Sequence, residues 1–238
     1  MSDKNNLELW NALEKTPPSA TKQAYVRGQR ITSINGLYVV KRATEQFGPV
    51  GLGWGYEIIA EKYDDTFPIY DIETKKEICV GKNHTIHLRL WYMRDGSKCS
   101  VSHFGHTRYI YESKGAAFVD EEAPKKSLTD AIKKCLSMIG ICADVFMGQF
   151  DDPEYVSMMS DIEKIGTAES KVDETERQMR ARDEFVADTC RLIDESINLN
   201  MLKGVYSAAI KRATIRDDRD AVIEITEAKD KKKQELSK

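Results

Sequence analysis

Residues 121–150 read EEAPKKSLTDAIKKCLSMIGICADVFMGQF, the longest segment of the chain with helical periodicity. Leu128, Ile132, Cys135, Leu136, Ile139, Cys142 and Val145 recur at three- and four-residue steps, which lines them up as one apolar stripe. Lys125, Lys126, Lys133 and Lys134 lie beside that stripe, toward its N-terminal half. Pro124 suits a first helical turn, where its missing N–H costs nothing. Ser127 or Thr129 offers a capping hydroxyl. The spacing predicts one helix with a buried face and a cationic face.

Upstream of it the texture is that of a sheet. Trp54, Tyr56, Ile58 and Ala60 alternate to one side, and Ile86, Leu88 and Leu90 alternate with His87, Arg89 and Trp91. Arg94-Asp95-Gly96-Ser97 has the chemistry of a hairpin turn, so Cys99 to Ile110 is expected to return as the next strand. Residues 53–111 therefore predict an antiparallel meander of three or four strands, covered on one face by the lysine-bearing helix. Before the meander, residues 34–47 predict a helix with Leu37, Val40, Ala43 or Thr44, and Phe47 on one face, stopped by Gly48-Pro49. Asn5 to Leu13 predicts a short helix, ended by Thr16-Pro17-Pro18-Ser19. Ala20 to Ser33 reads as a basic loop. The fold class expected is α+β: helix, meander, covering helix, then an all-helical C-terminal region. The expected domains are 1–155 and 156–238.

In the C-terminal region, residues 160–176 read as a linker and helix start. Residues 174–196 read as a helix with Met179, Phe185 or Val186, Cys190 and Ile193 inward, and Leu202–Ile215 as another. The charge-rich end, DKKKQELSK, reads as frayed.

Composition narrows the function. The chain has 238 residues and a formal net charge of −3, which argues against a general coat for nucleic acid. The charge is uneven: residues 1–150 carry 20 basic and 18 acidic residues, residues 151–238 carry 16 and 21. Lys15, Lys22, Arg27, Arg30, Lys41 and Arg42 fall in one run without an acidic residue, a local cationic patch suited to phosphate. No apolar run reaches the roughly 20 residues of a membrane span, and no signal peptide is visible. The five cysteines form no CxxC pair, as expected for reduced thiols of a cytosolic protein.

Catalytic signatures are sparse. GPVGLGWG (48–55) follows a helix and precedes a strand, the wrong order for a nucleotide loop, and lacks the P-loop Lys. His84/His87 and His103/His106 form two HxxH pairs on neighbouring strands, which raises the alternative of a metal-dependent DNA-processing enzyme. On a strand, however, positions i and i+3 face opposite sides. The carboxylate pairs Asp64-Asp65, Asp151-Asp152 and Asp217-Asp218 read as solvated turns. Tyr25, Tyr38, Tyr109 and Tyr111 interleave with the basic residues, which is the composition of a single-strand groove that neutralises phosphates and stacks bases.

Two blocks resemble a known family. NGLYVVKRATEQFG (35–48), with Trp54 soon after, and LTDAIKKCLSMIG (128–140) are similar to the signature helices of Rad52-type single-strand annealing proteins, phage members in particular. The resemblance covers residues 15–150. It implies a β-β-β-α core and a multimeric ring or helical arc, in the cytoplasm of a bacterial host if phage-encoded. It also implies single-stranded DNA held in a basic groove, annealing of complements in homologous recombination without ATP, no enzymatic chemistry, no metal and no cofactor. Lys133 and Lys134 match the family's basic groove positions and Lys125 a basic position upstream. With Lys126, Lys41, Arg42, Arg27, Arg30, Arg108 and Tyr38 these make the expected DNA-binding set. Ser137 and Tyr38 stand where many members carry arginine, and Lys41 and Arg42 are the candidate compensation. The tail resembles no known family and is a candidate for binding a single-strand-binding protein or an exonuclease.

Overall fold

The computed structural model describes residues 6–26 and 28–237. The chain divides into two compact units, Met1–Thr16 with Ala20–Met147, and Pro17–Ser19 with Gly148–Lys238.

In the first unit, helix α1 (Glu8–Leu13) precedes a two-stranded hairpin, β1 (Thr21–Val26) and β2 (Gln29–Ile34). Helix α2 (Gly36–Phe47) leads into an antiparallel meander in sequence order: β3 (Trp54–Tyr70), β4 (Glu77–Arg94), β5 (Ser97–Ser113) and β6 (Ala116–Val119). Helix α3 (Ala123–Ser137) and the short α4 (Ala143–Phe146) complete it. Strand β4 supplies the alternation expected of it, burying Ile86, Leu88 and Leu90 under the helices. Asp95 and Gly96 both adopt positive φ, at 51° and 75°, in the two-residue turn that joins β4 to β5. That turn geometry matches the twist of the flanking strands.

The closeness of α3 to the sheet rests on one residue. Gly105 on β5, opposite Ile86, lies so near the helix that a Cβ there would sit 2.0 Å from the Ser127 carbonyl oxygen. Ser127 is buried, and its hydroxyl donates to the His84 carbonyl at 3.2 Å. Ala131, Cys135 and Leu136 then fall into a core shared with Leu13, Val39, Ala43 and Trp54. Neither Ser127 nor Thr129 caps the helix. The N-cap is Glu122, and Thr129 donates back to the Lys125 carbonyl within the helix.

Helix α3 does not run on to Phe150. It ends at Ser137, and Gly140 (φ 101°) and Cys142 (φ 55°) turn the chain. The turn brings Gly140 against the backbone of Trp10 and joins Cys142 N–H to the Leu13 carbonyl at 3.1 Å. Ile139, Ile141 and Cys142 are still buried, which is why apolar spacing persists through a segment that is not helical. Nearby, buried Asp144 accepts from Thr16 N–H at 2.8 Å and from Thr16 Oγ1 at 2.5 Å, tying the segment after α1 to α4.

Three further expectations change. The segment expected as a loop holds the paired strands β1 and β2, with Tyr25 opposite Arg30 and Lys22 opposite Ser33. On α2 Ala43 is buried and Val40 and Phe47 pack against the core as expected, Val39 joins them, and Leu37 is 79% exposed. A register shift between Ile58 and Ala60 takes Ala60 out of the row that starts at Trp54, and within that row Tyr56 and Ile58 are already exposed.

Among the described residues the second unit holds four α-helices: α5 (Pro153–Thr167), α6 (Lys171–Asp194), α7 (Leu199–Ile215) and α8 (Arg219–Leu236). Asp152, Ser170, Asn198 and Asp218 cap them, each side chain accepting a backbone N–H. Val186, Ile193, Leu202, Ala209, Ala213, Ala221 and Ile225 form the core. The expected linker at 160–176 is mostly helix, Met179 is exposed rather than inward, and the expected frayed end is helical to Leu236. No helix among the described residues is long and apolar enough to cross a membrane.

Candidate nucleic-acid interface

The expected binding residues occupy three places on the first unit. The first is the middle of α3. Lys133 is half-buried and forms no ion pair among the described residues. Its ammonium is held below the ordinary lysine value, chiefly by burial and further by the positive charges of Lys22 and Lys134, with Asp130 opposing. Lys134 pairs with Asp130 at 2.8 Å, and Asp130 also accepts from His106 N–H at 3.3 Å. Lys22, on β1, lies outside the expected set, yet its charge bears on Lys133. It lies in the acid-free basic run, but reading that run as a loop concealed that a strand carries it to the flank of α3. Gly36, at the start of α2, closes on the same helix: a Cβ there would meet Thr129 Cγ2 at 2.8 Å.

The second place is the start of α3. Lys126 pairs with Asp120 at 2.6 Å, which raises its pKa, and Lys125 pairs with Glu122. Arg108 on β5 lies over the Tyr111 ring, 4.4 Å from its centroid. Lys126 and Lys133 are seven positions apart, so they share a helix face about 10 Å apart along the axis. The Lys125–Glu122 pair is solvent-exposed, of the kind worth about 0–1 kcal/mol, and so exchanges readily with a phosphate, whereas the Asp120 carboxylate is only 13% exposed.

The third place is α2, where the arrangement is less open. Lys41 is exposed and 3.8 Å from Glu45. Arg42 pairs with Glu45 at 2.9 Å and reaches the Ala12 carbonyl at 3.5 Å, with Nε buried and without a hydrogen-bond partner. Tyr38 packs against the core rather than standing free as a stacking platform. Arg30 on the hairpin donates to Gln23 at 2.9 Å, and Tyr25 beside it is 76% exposed. Arg27 lies outside the described residues.

The histidines divide as strand geometry requires. His84 is fully buried on the helix-facing side, with Nε2 2.8 Å from Glu61. His87 is on the open side, stacked on Phe104 with centroids 4.3 Å apart, and His106 stacks on the far side of Phe104 at 6.1 Å. Each HxxH is thus split between the two faces. Among the described residues no group of three or more His, Cys, Asp or Glu could hold a metal ion. All five cysteines are free, and burial pushes Cys135 and Cys142 up to about 11, which makes them inert thiols. Of the carboxylate pairs, Asp64 lies within β3 and accepts from Thr85, while Asp152 and Asp218 are helix caps.

A meander covered by one helix, with that helix carrying a lysine short of counter-charge, defines an α+β module with a cationic face. The chain belongs to the Rad52/22 family of double-strand break repair proteins, whose family model matches residues 7–144. This is the single-strand annealing family that the two signature blocks resemble, and membership places the protein in DNA recombination and repair. No individually curated protein matches the chain.

Proposed function

We propose that the first unit binds single-stranded DNA along the α3 face and the β1–β2 hairpin, and anneals complementary strands without ATP. The observation that carries the reading is Lys133. An ammonium that is half-buried, pressed by Lys22 and Lys134 and lacking a carboxylate of its own is stabilised by an arriving phosphate. Lys126, two turns back along the same helix, extends the path, Arg108 on β5 supplies a further cation, and the exposed Tyr25 offers a ring for a base. The protein makes and breaks no covalent bond in this reading; it holds strands with bases accessible. Several subunits in a ring or arc supply the length of strand that one module cannot cover, and the second unit recruits a protein partner such as a single-strand-binding protein or an exonuclease.

The test is annealing of complementary oligonucleotides, with and without ATP, by the wild type and the Lys133→Ala/Lys134→Ala double variant. Acceleration independent of ATP and lost in a folded double variant is expected. Unchanged annealing by that variant contradicts the assigned site.

A further inference from the structure

Three cations act on one another at the middle of α3, Lys22, Lys133 and Lys134, and one carboxylate answers them. It is Asp130, a turn back on the same helix. Its Oδ2 lies 2.8 Å from the Lys134 ammonium and also accepts the His106 backbone N–H of β5 at 3.3 Å. Its charge is the one that favours the protonated form of Lys133, against burial and the two neighbouring lysines. Among the described residues no other carboxylate pairs with these three lysines.

This pair differs from the Lys125–Glu122 pair at the start of the helix. There the side chains are 75% and 58% exposed, whereas Lys134 and Asp130 are 33% and 32% exposed. A partly sheltered pair is screened less by salt. The Asp130 side chain is short, and its tie to the β5 backbone holds it in place, so it does not swing clear when a strand arrives. Lys134 therefore has an anion against it before any DNA is bound, at the distance a phosphate oxygen takes. A phosphate that reaches Lys134 must displace that carboxylate or bear its repulsion.

We propose that Asp130 is a built-in competitor of the strand's phosphates, which holds Lys134 back and sets how fast bound single-stranded DNA leaves. The proposal rests on the reading of the α3 face as the strand-binding site, and it gives one carboxylate of that face the task of release. A strand must be let go once it has paired with its complement. The test uses the full chain and a fluorescein-labelled 20-nucleotide oligothymidylate, with affinity read by anisotropy and dissociation by stopped flow. Asp130→Asn removes the charge and keeps an acceptor for the His106 N–H. It is expected to show wild-type circular dichroism, to bind about tenfold more tightly, the scale of one charge-assisted contact, and to release the strand correspondingly more slowly. In a Lys134→Met background the same substitution is expected to gain less than about threefold, because the pair it relieves is already gone. Asp130→Ala removes charge and acceptor together; it is expected to melt lower than Asp130→Asn and still to bind more tightly than the wild type. Unchanged or weaker binding by either folded variant overturns the proposal, since Asp130 would then orient Lys134 toward the strand. An undiminished gain in the Lys134→Met background overturns it too, because the effect would be one of overall charge. A wild type that binds no oligothymidylate contradicts the reading of the α3 face and the proposal with it, whereas a wild type that binds while Asp130→Asn gains nothing contradicts the proposal alone.

Discussion

Lys133 sits where its charge is costly to the folded protein, and two predictions follow from that. Its pKa is lowered by burial and by neighbouring cations, so the folded state disfavours the protonated form relative to the unfolded chain. At neutral pH both states are protonated and the penalty is present in full; it is relieved only as pH rises through the lowered pKa. Lys133→Met should therefore leave thermal stability unchanged or raise it, while weakening binding of oligothymidylate by about 1.5 kcal/mol, the scale of a charge-assisted contact. A melting temperature that falls with the affinity would mean that Lys133 is a structural residue. DNA affinity of the wild type should also begin to drop, on raising the pH, below the ordinary lysine value of 10.5, and the drop should be smaller in Lys133→Met. The Thr16–Asp144 contact is the contrasting case, a buried polar pair serving structure alone. Asp144→Ala leaves two buried donors unpaired and should cost about 3 kcal/mol in urea unfolding.

At the scale of elements, α3 is set by its contact with β5. Gly105→Ala places a methyl against the Ser127 carbonyl, which cannot yield without moving the helix, so a loss of about 2–3 kcal/mol is expected in denaturant unfolding. A neutral outcome would show that α3 slides freely on the sheet. Much of this architecture was legible. The alternation of β4, the Asp95-Gly96 turn and the apolar stripe of α3 each state one local geometry, and the structure follows them. Three features were not legible, for identifiable reasons. The β1–β2 hairpin has an exposed, polar strand pair with no buried alternation to signal it. The end of α3 is hidden because Ile139 and Cys142 are buried by a left-handed turn at helical spacing. The bulge after Ile58 moves Ala60 off the face of Trp54, and nothing in the side chains there announces an extra residue. The missed hairpin is also why Lys22 escaped the expected site: a residue in a loop has no assigned neighbours.

For the whole molecule, membership of the Rad52/22 family agrees with a strand-rich middle lying between two signature helices. The electrostatics are divided. The first unit presents along α3 Lys125, Lys126 and Lys134, each paired with one carboxylate, and Lys133, which forms no ion pair among the described residues; the second pairs its arginines internally at Asp161, Glu174 and Asp218. Light scattering at micromolar concentration should show an oligomer, because one module covers only a short strand; a strictly monomeric protein would contradict the ring or arc. The most direct test of the central claim is the salt dependence of oligothymidylate binding by the wild type and Lys133→Met. The account predicts a linear fall of log affinity with log salt for the wild type, and a slope smaller by about one contact, 0.7 on this scale, for the variant. Equal slopes for the two proteins would contradict it, since Lys133 would then touch no phosphate.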